Sequence, residues 1–447
     1  MPKDKKGPGL IGLGLYLGLS NLAHIAIGVT DVLMAGMLGS FLLAAATLAA
    51  TLFQVLMLSA VGFSIGCAPL LAKYKGQDNH DGYRHALLTI ILCLGVILSL
   101  ASLLLAMGDK VFQIFGQDPN LIAASKDYLF YLTLALPVGG IFSLLWMIAS
   151  LNGHGAVLFW SSLISIGVNM ALNAVFMFGW GPFEPWGLAG LGISTFISLG
   201  LKSVFLLVWL RYHGSITSFK WAVADLQNLR PHLPDVLRYG VPMMVLECAT
   251  LAFFAALTFI AGLMGPAQLA IHAITLQMAE IGTGLAFGFS EAISITIAKY
   301  KGQENQTMLR QSFRQALLFG AGGMAAYGLC LIVIAQDIAA FFLTFNGPLD
   351  PSILNGVTSA LVIAALCLMV DSPRIVMVGI LRGLGDTQKP ITLTMGCFWL
   401  IALPLAYLLG IGLDWQVNGI WWGMVIGLGT GALLLTIRWR IKLKEEC

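Results

Sequence analysis

Five carboxylic acids stand in stretches of this sequence that are otherwise apolar: Asp31, Glu247, Glu280, Glu291 and Asp371. A carboxylate away from water is costly unless it meets a cation, a proton or hydrogen-bond donors, and ionisable groups in such stretches usually line a pathway. Their natural chemistry is to take up and release H+ or Na+ and to attract organic cations. Asn169 and Asn173 add two amides on one helix face, since residues four apart on a helix are neighbours. Glu280 and Glu291 lie about three turns apart and share a face as well. Arg374 follows Asp371 by one helical turn and is placed to pair with it. Pro137, Pro242, Pro373 and Pro404 are expected to interrupt their helices. Proline leaves a carbonyl without its helical donor, and hard cations prefer oxygen ligands. With Pro242 just before Glu247 and Pro373 just after Asp371, a Na+ site at Glu247 and Asp371 is one arrangement the spacing offers. Each proline taken singly reads as an ordinary kink.

The elements that must hold these groups follow from composition. The 447 residues are 58% hydrophobic and 10% charged, against about 25% charged residues in a soluble domain. Lipid must cover most of such a molecule. Breaking the chain at polar and Gly/Pro clusters gives twelve apolar spans, beginning near Leu10, Leu42, Ala86, Tyr128, Val157, Leu188, Tyr239, Leu269, Ala316, Ile353, Ile391 and Val417. They are helical, because backbone groups in hydrocarbon must be bonded internally and the runs are too long for barrel strands. Basic residues fix the orientation. Lys3, Lys5, Lys6, Lys73, Lys75, Arg84, Arg211, Lys220, Arg230, Arg238, Lys299, Lys301, Arg310, Arg314, Arg382, Lys389, Arg438, Arg440, Lys442 and Lys444 all fall on one side if both termini are cytoplasmic. Lys110 and Lys126 fall on the other, and Lys202 and Arg374 lie inside spans. The first span follows a lysine cluster without a convincing cleavage site, which reads as an uncleaved span.

The chain also repeats itself. Ala35-Gly-Met-Leu-Gly39 returns as Ala261-Gly-Leu-Met-Gly265, and Ala72-Lys-Tyr-Lys-Gly-Gln77 returns unchanged as Ala298 to Gln303, both 226 residues later. Leu151-Asn-Gly-His-Gly155 has a fainter echo in Leu381-Arg-Gly-Leu-Gly385. A repeat of six spans keeps the same orientation, so two pseudo-symmetric six-helix bundles are expected, 9–211 and 236–438, as a parallel repeat about an axis along the membrane normal. The polar stretch 212–235 joins them as a cytoplasmic linker. Transporters built from repeats bind cargo between them and alternate access by rocking.

Other classes of function lack their residues. No phosphate loop, dinucleotide fingerprint, nucleophile elbow or metal-spaced His/Cys cluster occurs, so neither an enzyme nor an ATP-driven pump is indicated. The seven cysteines form no C-x-x-C pair, and the six that lie in apolar spans read as structural thiols. No basic stripe interleaved with aromatics suggests nucleic acid, and no cofactor is implied beyond a coupling ion.

In its ordered polar residues the chain resembles the multidrug and toxic compound extrusion (MATE) family, most closely its NorM-like branch. The resemblance rests on Thr30-Asp-Val-Leu-Met-Ala-Gly36, on Asn169-Met-Ala-Leu-Asn173 followed by Phe178-Gly179, on Leu246-Glu247, and on Asp371 followed by Gly379-Ile-Leu-Arg-Gly383. It covers nearly the whole chain. It implies a pair of six-helix bundles that export organic cations in exchange for H+ or Na+. It implies that Asp31, Asn169 and Asn173, with Thr195 as a weaker match, form a polar site in the first half. Glu247 and Asp371 map onto a cation site in the second. Glu280, Glu291 and Arg374 are further candidates for lining. The chain departs from the family pattern at Cys367, where a tyrosine is common, at Arg374, where an uncharged residue is usual, and in the absence of proline from the first span. A lipid-linked precursor flippase is the alternative function. Five acids against Lys202 and Arg374 inside the spans favour cationic cargo, and Trp146, Trp160 and Trp399 suit it through cation–π contact. The expected protein is a monomer in the inner membrane.

Overall fold

The computed structural model describes residues 9–182, 184–214, 229–344 and 351–446. Among the described residues, twelve helices are long and apolar enough to cross a membrane. In chain order they are α1 Leu10–Gly36, α2 Phe41–Gly76, α3 His80–Ala106, α4 Pro119–Leu151, α5 Gly155–Phe176 and α6 Leu188–Tyr212. They continue as α7 Arg230–Leu263, α8 Ala267–Gly302, α9 Gln306–Val333, α10 Pro351–Gly383, α11 Gln388–Gly412 and α12 Gln416–Lys442. Two short helices, Gly108–Ile114 and Ala335–Thr344, stand after α3 and α9. The lysines at positions 3, 5 and 6 and most of the expected linker, 215–228, lie outside the described residues.

Several helices begin well before the apolar runs that marked them. α3 starts at His80 rather than near Ala86, α4 at Pro119 rather than near Tyr128, and α9 at Gln306 rather than near Ala316. The apolar run marks only the part of a helix within hydrocarbon. A helix that has nucleated continues through the polar margin as long as its first donors are capped. Asn79 caps α3 through Gly82 N at 2.8 Å, Asp118 caps α4 through Asn120 N at 2.7 Å, and Asn305 caps α9 through Met308 N at 3.1 Å.

The 226-residue repeat is written into the backbone. Gly39 and Gly265 both end their turns at positive φ (108° and 103°), and so do Asp78 and Glu304 (51° and 55°). Asn79 and Asn305 are equivalent caps, and Lys75 and Lys301 are equivalent clamps. Lys75 Nζ donates to the Leu151 carbonyl at 3.1 Å and to Asn152 Oδ1 at 2.7 Å, while Lys301 Nζ donates to the Leu384 carbonyl at 2.8 Å. Thus the recurring Lys-Tyr-Lys-Gly-Gln segment ties the end of one span to the end of another in each half.

Packing divides the chain into two compact units whose borders fall inside helices, not in the linker. One runs over Leu19–Val245; the other joins Gly9–Gly18 to Leu246–Cys447. The first turns of α1 therefore pack in the second unit, and the first turns of α7 pack in the first. Glycine makes both approaches possible. A Cβ on Gly288 of α8 would stand 2.1 Å from Gly18 N, and one on Gly14 would stand 2.5 Å from the Phe289 ring. The partner contact repeats at the same offset, with a Cβ on Gly240 2.5 Å from the Phe63 ring. Within the second unit the core is built on Phe253, Leu257, Leu361, Ala364 and Trp421. π-Helical turns interrupt α9 at Ala316–Ala321 and α11 at Cys397–Ala402 and Leu408–Gly412.

Candidate functional site

Each unit holds a polar cluster, and the two differ in what satisfies their acids. In the first unit, Asp31 is half-buried near the C-terminal end of α1. Its Oδ1 accepts from Asn173 Nδ2 at 2.7 Å, and the same amide group lies 3.3 Å from Asn169 Oδ1. Both asparagines are wholly buried on α5. The fold brings them to α1 at the end of α5, where α6 begins directly against it: a Cβ on Gly190 would stand 2.3 Å from the Phe176 carbonyl oxygen. Asn169 Nδ2 and Asn173 Oδ1 remain without partners. An asparagine offers both a donor and an acceptor. The pair can therefore hold Asp31 as a carboxylate, through N–H, or as a carboxylic acid, through an amide oxygen. The same oxygens suit Na+. Tyr128, buried on α4, is close enough to feel the Asp31 charge. Thr195 is half-buried, and its hydroxyl donates to the Leu191 carbonyl of its own helix at 3.0 Å.

In the second unit Asp371 and Arg374 are both buried on α10, at 5% and 6% exposure. Arg374 grips both carboxylate oxygens, Nε to Oδ1 and Nη2 to Oδ2, the latter at 2.9 Å. Its guanidinium also lies 5.0 Å from the centre of the Phe398 ring, which stacks on Phe253 at 4.7 Å. Phe398 is carried on a π-turn of α11, a feature often found where a helix presents a special side chain. Small residues leave the arginine its room: a Cβ on Gly431 would stand 3.1 Å from Arg374 Cδ.

Pro242 and Pro373 sit inside continuous helix instead of breaking it. The carbonyl that Pro373 releases, that of Met369, accepts from Ser372 Oγ at 3.0 Å. Proline did free an oxygen here, and a neighbouring hydroxyl took it up. Pro137 likewise lies inside unbroken helix, and Pro404 stands in the short α-segment between the two π-turns of α11. Glu247 is half-buried and feels the charge of Arg382, itself buried on α10. On α8 Glu280 is exposed and Glu291 is buried at 4%, so the face they share is open at one end and covered at the other. Among the described residues no cluster of three His, Cys, Asp or Glu is placed to hold a metal ion.

The structure thus joins Asp31 to Asn169 and Asn173, and Asp371 to Arg374. It also shows charged groups that spacing alone did not single out as a site. Arg382 is one. Another is Lys202, buried at 4% with its ammonium 4.4 Å from the centre of the Phe142 ring. Its signal was in the sequence, as a lysine inside an apolar span.

The MatE family model matches residues 17–175 and 242–408. The chain is 28% identical over 439 residues to the probable multidrug resistance protein NorM of Agrobacterium fabrum, covering 97% of this chain and 93% of that one. It is 28% identical over 442 residues to the protein so named in Pseudomonas aeruginosa, covering 97% and 90%. A Vibrio cholerae MATE transporter has the same fold with a TM-score of 0.86 at 17% identity, covering 98% of this chain and 96% of that one. A MOP superfamily transporter from Pyrococcus furiosus, described by a binding pocket of reverse polarity, matches with a TM-score of 0.84 at 18% identity, covering 97% and 95%.

Proposed function

This chain belongs to the MatE family, and from that premise we propose that it is a secondary active multidrug efflux transporter that exports organic cations in exchange for H+, through Asp31. It is a multi-pass membrane protein of the MATE/NorM multidrug efflux class. The observation that carries the reading is the contrast between its two aspartates. Among the described residues Asp31 is hydrogen-bonded to an amide and not to a cation, whereas both oxygens of Asp371 are held by Arg374. A coupling group must change its occupant during the cycle. Asp31 can take a proton, a Na+ ion or a cationic cargo in turn without first breaking an ion pair. A Na+ at Glu247 and Asp371 would have to displace a two-point guanidinium, which is the strongest arrangement a carboxylate accepts from a side chain. The same reading makes the transporter a monomer in the inner membrane, with both termini in the cytoplasm and no cofactor besides the coupling ion.

The test is efflux of a fluorescent lipophilic cation from proteoliposomes, with H+ and Na+ gradients imposed separately. The expected result is transport driven by the H+ gradient and lost in Asp31→Asn, while that variant still inserts and elutes as a folded protein. Glu247→Gln is expected to impair transport to the same or a smaller degree. Undiminished gradient-driven efflux by Asp31→Asn would move the coupling site to the second unit. Transport of lipid-linked anions, with no organic cation moved, would replace the reading by a flippase.

A further inference from the structure

The turn after α4 and the turn after α10 share one backbone. In each, a glycine at positive φ ends the helix, Gly153 at 73° and Gly385 at 86°. The next amide reaches back five residues, His154 N to the Ala149 carbonyl and Asp386 N to the Leu381 carbonyl, both at 2.9 Å. Such a stop uses up carbonyls that the helix end leaves over. Each turn is also gripped by a lysine from the end of another span, Lys75 of α2 and Lys301 of α8. His154 of the first unit therefore stands where Asp386 stands in the second.

The two residues meet different partners. Asp386 accepts from Arg438 Nε, near the end of α12, at 2.7 Å. A carboxylate and a guanidinium ordinarily keep their charges from pH about 5.5 to 7.5. His154 instead meets His213, the residue that closes α6, edge to face with ring centres 5.7 Å apart. His213 stacks on Trp209 at 4.0 Å, and its Nδ1 lies 2.9 Å from the Trp209 carbonyl oxygen. Neutral rings suit this contact. His213 can take a proton at little cost, since it lies at a helix C-terminus, over an indole face and beside a carbonyl. His154 cannot. Lys75 of α2, bound to Asn152 two residues before it, and His213 of α6 are the charged and titratable groups that act on it. Arg211 is exposed two residues from His213. Burial, and then the charges of His213 and Lys75, hold the His154 imidazole below its usual range. The closed turn thus binds fewer protons than an open one. It is stable above the ordinary imidazole value, about 6.5, and loses that stability as pH falls below it.

We propose that His154 and His213 form a pH-operated latch between the α4–α5 turn and the end of α6, shut while the two rings share at most one proton and released when acid protonates both. The equivalent latch of the second unit, Asp386 with Arg438, stays shut. Release frees the start of α5, the helix that carries Asn169 and Asn173, so acid on this side slows export. That this side is the cytoplasm, and that export is what slows, rest on the function proposed above; the latch itself does not.

Hydrogen–deuterium exchange of the purified full chain reads both turns in one sample. Protection factors, from which the intrinsic pH dependence of exchange is divided out, are compared for 149–158 and 381–390 at pH about 7.5 and about 5.5. At the lower pH the first turn is expected to lose protection roughly tenfold, and the second to stay within about twofold. His154→Phe keeps a ring without a charge and is expected to hold the first turn shut at both values. His154→Lys, charged throughout, is expected to open it at both. Equal loss in the two turns, or none in the wild type, overturns the latch. A second imidazole pair at the same end, His85 and His232 with ring centres 5.7 Å apart, is kept in every variant. A loss that persists in His154→Phe would belong to that pair and overturn the proposal too. Efflux of a fluorescent cation from proteoliposomes, at a fixed pH difference but with the cytoplasmic face at either value, tests the consequence. The wild type is expected to slow several-fold at the lower pH, and His154→Phe to slow less. Equal slowing overturns the regulatory role. No efflux at either pH sinks the export function, and the exchange result still decides the latch.

Discussion

At Asp371 a single neighbouring residue decides what the carboxylate can do. Arg374 occupies both oxygens and is itself supported by Phe398. Removing one partner of a buried pair leaves an uncompensated charge, at a cost of about 3–5 kcal/mol, whereas removing both is often nearly neutral. Arg374→Met is therefore expected to lower the melting temperature of the detergent-solubilised protein sharply, and Asp371→Asn with Arg374→Met to recover most of the loss. The double variant is also expected to retain H+-driven efflux. A folded double variant without coupling would show that the pair belongs to the coupling machinery. Both residues were legible in the sequence as partners from their spacing, and so was the shared face of Asn169 and Asn173. That Asn173 donates to Asp31 was not legible, because it depends on how α1 and α5 meet.

At the scale of elements, the crossings of α1 with α8 and of α7 with α2 depend on residues without side chains facing residues with rings. Gly14 meets Phe289 as Gly240 meets Phe63. A methyl group at either glycine would run into an aromatic edge, and overpacking of this kind costs roughly 1–3 kcal/mol. Gly240→Ala is expected to reduce the yield of monodisperse protein, and Phe63→Leu to restore it by making room. The same holds for Gly14→Ala with Phe289→Leu. Gly95→Ala, on α3 with open space around it, is the control and is expected to change nothing. If Gly240→Ala behaves like that control, the approach of α7 to α2 is looser than the structure shows. The sequence announced the repeat through its identical Lys-Tyr-Lys-Gly-Gln segments. It did not announce that the first turns of α1 and α7 pack in the unit formed mostly by the other half of the chain, since no local signal says which of two equally apolar surfaces a helix will cover.

For the whole molecule, orientation is the property that charge alone predicts. The last turns of α2 and α8 carry the paired lysines, and the segment around Gln117 carries few basic residues. In a variant without native cysteines, Gln117→Cys is expected to react with a membrane-impermeant maleimide in intact spheroplasts. Gln303→Cys is expected to react only after permeabilisation. Both positions are exposed, so access to the reagent, not burial, decides the outcome; the reverse pattern would invert the topology.

Class, span number and repeat are set by the sequence itself, because each depends on local quantities summed along the chain: the length of apolar runs, the sign of charges between them, and identity at a fixed offset. The polar inventory is set there too, from Asp31 to Asp371. What only the tertiary structure decided is who meets whom. It ties Asp31 to an amide and Asp371 to a guanidinium, fills the Met369 carbonyl with Ser372, and leaves Lys202 buried without an acceptor. These outcomes turn on distances of a few ångströms between helices far apart in the chain. A hydrogen bond or ion pair is gained or lost over such distances, while the hydrophobic patterning that places the helices does not specify them.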